Sequence, residues 1–229
     1  NRRASARTAP RACAELQRAP FVFTSMTGFG EREKVAHLLR RFGLGASEAE
    51  LDFYGQDGYK GALDRLLSYA SVADPVVELD RFANDKGLVN VKGVQAWFYT
   101  RLLVTNRPLE AALVVFWHNH FATSADKVDA VGALHDHVEC LYTHCAGKFQ
   151  DLLTGVSKDP AMLYWLDNHE NKKGKPNENF AREVMELFTL GIGHYTETDV
   201  QEAARALTGW TYGVKRGQRT VETPKPAQR

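Results

Sequence analysis

Residues 116–124, Phe-Trp-His-Asn-His-Phe-Ala-Thr-Ser, set two imidazoles, His118 and His120, one residue apart with the Asn119 amide between them. His-x-His can ligate a single metal ion on extended backbone, where alternate residues share a face. On a helix, residues two apart diverge by about 200°, so each imidazole must find its own partner. Pro108, Glu110, Ala111 and Ala112 open a helix ahead of the pair, and no turn signal interrupts it. Leu109, Leu113, Val114, Val115, Phe116, Trp117 and Phe121 cover nearly every direction around that helix. Such a pattern predicts a central, mostly buried element whose two histidines each need a hydrogen-bond partner or a metal.

A second chemistry-bearing stretch is Asn-Glu-Asn-Phe-Ala-Arg-Glu-Val-Met-Glu-Leu-Phe-Thr-Leu-Gly, residues 177–191. As a helix it places Phe180, Ala181, Val184, Met185, Leu187 and Phe188 on one half. Asn179, Glu183 and Glu186 then fall on one stripe of the other half, the arrangement by which a bundle presents metal ligands or an acid/base pair. The same pattern also describes a solvated face, with Arg182 and Glu186 paired one turn apart. Asn177 and Glu178 can cap the helix. The adjoining lysines Lys172, Lys173 and Lys175 either attract an anion or form a solvated basic loop. Of the other histidines, His135, His137 and His144 share a polar helix, His169 lies in a loop and His194 follows a Gly-Ile-Gly helix stop. No nucleophile elbow, HExxH, Walker or CxxC motif occurs.

The elements that must position these groups read as helical almost throughout. Helices are expected over 31–43, from Ser47 through Tyr54 behind a Ser47/Glu50 capping box, and over 59–70. Others follow from Pro75, over 91–105, from Pro108, over 126–145, over 148–157, and after Asp159-Pro160. The last two cover 177–191 and 199–209, the latter with Thr196 as a cap. The expected fold is all-α, an irregular multi-helix bundle of about eight to ten helices with no substantial sheet.

A chain of 229 residues, 44% hydrophobic and 25% charged, has the composition of an ordinary globular protein. Its net charge of +1 gives no reason to expect nucleic acid as partner. No run approaches the roughly 18 apolar residues of a membrane span. Cys13, Cys140 and Cys145 are expected as free thiols, since residues five apart on a helix diverge. Residues 1–30, rich in arginine, read as a disordered leader or a non-native extension. Residues 31–212 read as one helical domain truncated at its carboxyl end, and 213–229 as a polar tail.

Four long segments, FWHNHFATSADKV, DPAMLYWLDN, KGKPNENFAREVMELFTLGIGHYTETDV and QEAARALTGW, together resemble a bacterial family known as domain of unknown function 1800. HLLRRFGLGASEAEL resembles the opening of the same family, so the resemblance runs from His37 to Trp210. It implies a largely helical protein, extracytoplasmic in many members although no signal peptide is visible in this chain. It further implies a partner among exported phosphatase- or sulfatase-like enzymes. The family's characteristic polar positions fall on His118, Asn119, His120, Asn177, Glu178, Asn179, Glu183 and Glu186.

These residues lead to one expectation from each of two classes. The first is a metal-assisted or acid/base hydrolase. Glu183, Glu186 and His118 are its catalytic candidates, and Asn119, Asn177, Glu178 and Asn179 its binding candidates. His118, His120 and Glu183 would hold a divalent metal ion. The second is a non-catalytic scaffold or partner protein in which the same groups make structural hydrogen bonds.

Overall fold

The computed structural model describes residues 28–76, 90–215 and 218–222. The expected leader lies almost wholly outside these residues, as does most of the helix expected from Pro75. The chain folds as an all-α assembly of many helices. In chain order these are α1 (Glu31–Phe42), α2 (Glu48–Gly55), α3 (Gly58–Leu67), α4 (Val91–Val104) and α5 (Pro108–His120). Then come α6 (Val131–His144), α7 (Phe149–Ser157), α8 (Pro160–Trp165), α9 (Asn179–Glu183) and α10 (Glu197–Ala206). Among the described residues one antiparallel hairpin, β1 (Thr211–Lys215) with β2 (Gln218–Glu222), follows α10 where a polar tail is expected.

Local chemistry sets most helix starts. Ser47 Oγ accepts from the Glu50 N–H at 3.2 Å, and the Glu50 carboxylate accepts from the Ser47 N–H at 2.8 Å. Thr196 and Asp199 repeat that reciprocal cap at α10. Asp159 Oδ1 accepts from the Ala161 N–H at 3.0 Å, with Pro160 in the first turn where its missing N–H costs nothing. The helix expected from 126 begins instead at Val131, because Ser124 and Asp126 close a local turn through the Asp126 N–H to Ser124 Oγ bond of 3.1 Å.

Two large apolar clusters result, beside two smaller ones around Val128 and around Val200. Val35, Leu38 and Leu39 of α1 pack with Leu51, Tyr54, Ala62 and Leu66 of α2 and α3, and Leu109 of α5 joins them. The larger cluster gathers Trp97, Val114, Phe121, Leu141, Leu152, Met162 and Phe180 around α6, which touches α4, α5, α7, α8 and the hairpin. The α5 helix is less enclosed than its sequence implied. Ala111, Val114 and the adjoining Phe121 are buried, but Phe116 is 58% exposed.

The glutamate helix departs most from expectation. After Glu183 the backbone widens into a π-helical turn over Val184–Thr189, ended by Gly191 in the left-handed region at φ 80°. Hydrogen bonding shifts to i→i+5 there, so the angular spacing of an α-helix no longer holds beyond Val184. Leu187, expected on the buried half, is 61% exposed as a consequence.

Candidate functional site

His118 lies half-buried on α5, its ring stacked on Phe98 of α4 at 5.5 Å between centroids and 25° between planes. The His137 ring of α6 meets it edge-on at 6.2 Å. Beside His118 is a cavity of about 160 Å³, walled by α4, α6 and the loop after α5. Val94, Phe98, Leu134 and Val138 make its apolar walls, and Gln95 and Thr123 add polar groups. Among the described residues neither nitrogen of His118 has a hydrogen-bond partner. Its basicity falls below the ordinary histidine value of 6.5, chiefly because burial disfavours the imidazolium and secondarily because the His137 charge repels it.

Behind His118 sits a pair that sequence reasoning missed. His137 and Asp159 are 1% and 4% exposed, and His137 Nδ1 meets Asp159 Oδ2 in a short contact. On the other side, His137 Nε2 donates to the Phe121 carbonyl at 3.1 Å. A carbonyl only accepts, so Nε2 carries a hydrogen and the remaining proton lies between Nδ1 and the carboxylate. The sequence marks Asp159 only as a helix opener and His137 only as one of three histidines in a polar helix. Each local reading was incomplete, because the two join only through the packing of α8 on α6.

The Phe121 carbonyl belongs to the residue that ends α5, and this use of ring nitrogens recurs. The last carbonyls of a helix have no acceptor role within it. His120 Nε2 donates to the Phe188 carbonyl at 3.2 Å, at the end of the π turn. Trp117 Nε1 donates to the Cys145 carbonyl at 2.8 Å, at the end of α6. Asn179 Nδ2 donates to the Leu166 carbonyl at 3.2 Å after α8, and Asn171 Nδ2 to the Ala204 carbonyl at 2.7 Å in the last turn of α10.

The remaining candidates are placed separately. Glu186 takes the Tyr195 hydroxyl, and Glu183 makes no hydrogen bond or ion pair among the described residues. Neither glutamate lines the His118 cavity. Asn177 Oδ1 accepts from the Asn179 N–H at 3.0 Å, which caps the turn before α9. Glu178 pairs with Arg182 at 3.3 Å, and Arg182 in turn grips Glu197. Asn119 is exposed. The expected ligand trio His118, His120 and Glu183 is therefore not assembled. Among the described residues no three His, Cys, Asp or Glu side chains are grouped as a metal would require. The helix separates the two imidazoles, and the π turn takes Glu186 off the predicted stripe.

Comparison with known proteins bears on these motifs. The model of a family described as a protein of unknown function, DUF1800, matches residues 37–228. This chain belongs to the DUF1800 family. No curated protein and no solved structure matches it. Of the polar residues singled out in the sequence of this DUF1800 chain, His120, Asn177 and Asn179 are found at helix ends and His118 at one small cavity. Cys140 and Cys145 are free thiols, as expected. No described helix is long and apolar enough to cross a membrane.

Proposed function

We propose that this DUF1800 domain is a non-catalytic helical scaffold. Side chains such as His120, Trp117 and Asn179 hold helix ends in register, and it works beside a partner enzyme of the exported phosphatase- or sulfatase-like kind that family resemblance implies. One observation carries the reading: His120, expected as a metal ligand with His118 and Glu183, donates instead to the orphan carbonyl of Phe188. A buried carbonyl left without its donor costs about 1–3 kcal/mol, so His120 has a structural reason to be histidine. A hydrolase built on these motifs would need a histidine and a glutamate on one cavity, whereas the His118 cavity has no glutamate in its wall.

Elemental analysis of the purified chain, run beside urea unfolding of His120→Ala and Glu183→Ala, tests the proposal. The scaffold reading expects no stoichiometric metal, a loss of about 1–3 kcal/mol for His120→Ala and a change within about 0.5 kcal/mol for Glu183→Ala. A stoichiometric metal that disappears in Glu183→Ala, or an esterase or phosphatase activity abolished by that substitution, overturns it.

A further inference from the structure

We infer that the cavity between α4, α5 and α6 is a binding site for a small organic acid, a carboxylate carried on a compact apolar body, with His118 as the group that meets the carboxylate. Three observations carry this beyond the scaffold role. The first is the unused hydrogen-bonding capacity of His118. Its ring is fixed between Phe98 and His137, yet both nitrogens are without a partner among the described residues. A half-buried imidazole held in one orientation with an open donor and an open acceptor is a preorganised anchor.

The second observation is the sign of the charge around the cavity. No aspartate or glutamate lines it. Asp159, behind His137, is already taken by the His137 Nδ1 contact and the Ala161 N–H. A cationic ligand would find no counter-charge in the wall, whereas a carboxylate would find His118. The other titratable groups facing His118 are Tyr99 from α4 and His137 from α6, with Asp159 behind His137. The third is size and lining. About 160 Å³ of room between Val94, Phe98, Leu134 and Val138 suits an apolar body of on the order of ten non-hydrogen atoms, since one water-sized group needs about 10–15 Å³.

Binding is coupled to a proton. His118 is held neutral by burial and by the His137 charge, so an arriving carboxylate draws a proton onto the imidazole and pairs with it. Above the depressed titration point of His118 each bound anion takes up one proton. Affinity then falls by about tenfold per pH unit as pH rises.

The test is titration of the full chain with sodium benzoate, followed by ¹⁵N resonances of the histidine rings, with benzamidine as the cationic control. Benzoate is expected to shift the His118 ring saturably and more tightly at lower pH, and benzamidine not to bind. His118→Gln is expected to weaken benzoate by about tenfold, and Ala125→Phe, which fills the cavity from the loop, to abolish binding. Should His118→Gln not fold, Ala125→Phe carries the same comparison. No saturable shift with benzoate, equal binding of benzamidine, or wild-type affinity in the variants overturns the inference.

Discussion

His137 is sealed from solvent with both ring nitrogens facing oxygen atoms, and Asp159 accepts from it and from a helix N–H at once. A buried charge pair of this kind tolerates replacement by a neutral pair far better than loss of one member, because the survivor is left desolvated and unmatched. Asp159→Asn keeps an amide oxygen for the Ala161 N–H and an amide N–H for a neutral His137. It is expected to cost about 1 kcal/mol. Asp159→Ala removes the helix cap and strands the imidazole, with an expected loss of about 3–5 kcal/mol. Urea unfolding at neutral pH separates the two, and equal losses would show that shape rather than the shared proton governs the site. The cap half of this residue was legible in Asp159-Pro160, since capping is settled within three residues. Its partnership with His137 lies 22 residues away and exists only once α6 and α8 have packed.

At the scale of elements, starts proved more legible than ends. Ser47/Glu50, Asp159-Pro160 and Thr196/Asp199 each satisfy orphan N–H groups with neighbours in sequence, Pro108 removes one by lacking it, and each helix begins where those signals stand. Ends are closed by side chains from elsewhere, such as Trp117, His120 and His137, so their partners could not be read from local pattern. The π turn after Glu183 is of the same kind. It rotates Glu186 toward Tyr195 and Leu187 toward solvent, which breaks a stripe drawn at α-helical spacing. Close packing between elements adds a further constraint at Gly155, inside α7. An alanine there would ordinarily favour the helix by about 1 kcal/mol. Its Cβ would lie 2.9 Å from Cys140 Sγ and 3.1 Å from the His144 ring on α6, so α7 would be pushed off its neighbour. Gly155→Ala is expected to destabilise the fold by about 1–3 kcal/mol, and adding Cys140→Ala to recover a substantial part of it. A stabilised Gly155→Ala in urea titration would contradict this packing.

Among the described residues the two largest apolar clusters are joined through one helix. Leu109 of α5 packs with the α1–α3 cluster, while Val114, Trp117 and Phe121, later on or just beyond the same helix, belong to the larger one. Polar contacts reinforce the seam: the Tyr54 hydroxyl donates to the Asn106 carbonyl at 2.9 Å, and Arg107 Nε donates to the Val72 carbonyl at 2.9 Å. A helix shared between two cores cannot lose its first turns without loosening its last, so the clusters should unfold together. The tryptophans offer a clean readout, because Trp97, Trp117, Trp165 and Trp210 all lie in or against the larger cluster. Leu39, fully buried in the smaller cluster, touches none of that core's centre. Leu39→Ala is expected to cost about 2–5 kcal/mol and to move the tryptophan fluorescence transition as far as the far-UV circular dichroism transition. If the dichroism instead shows an early step while the fluorescence midpoint stays at its wild-type value, the two clusters are separate folding units and α5 is only a tether between them.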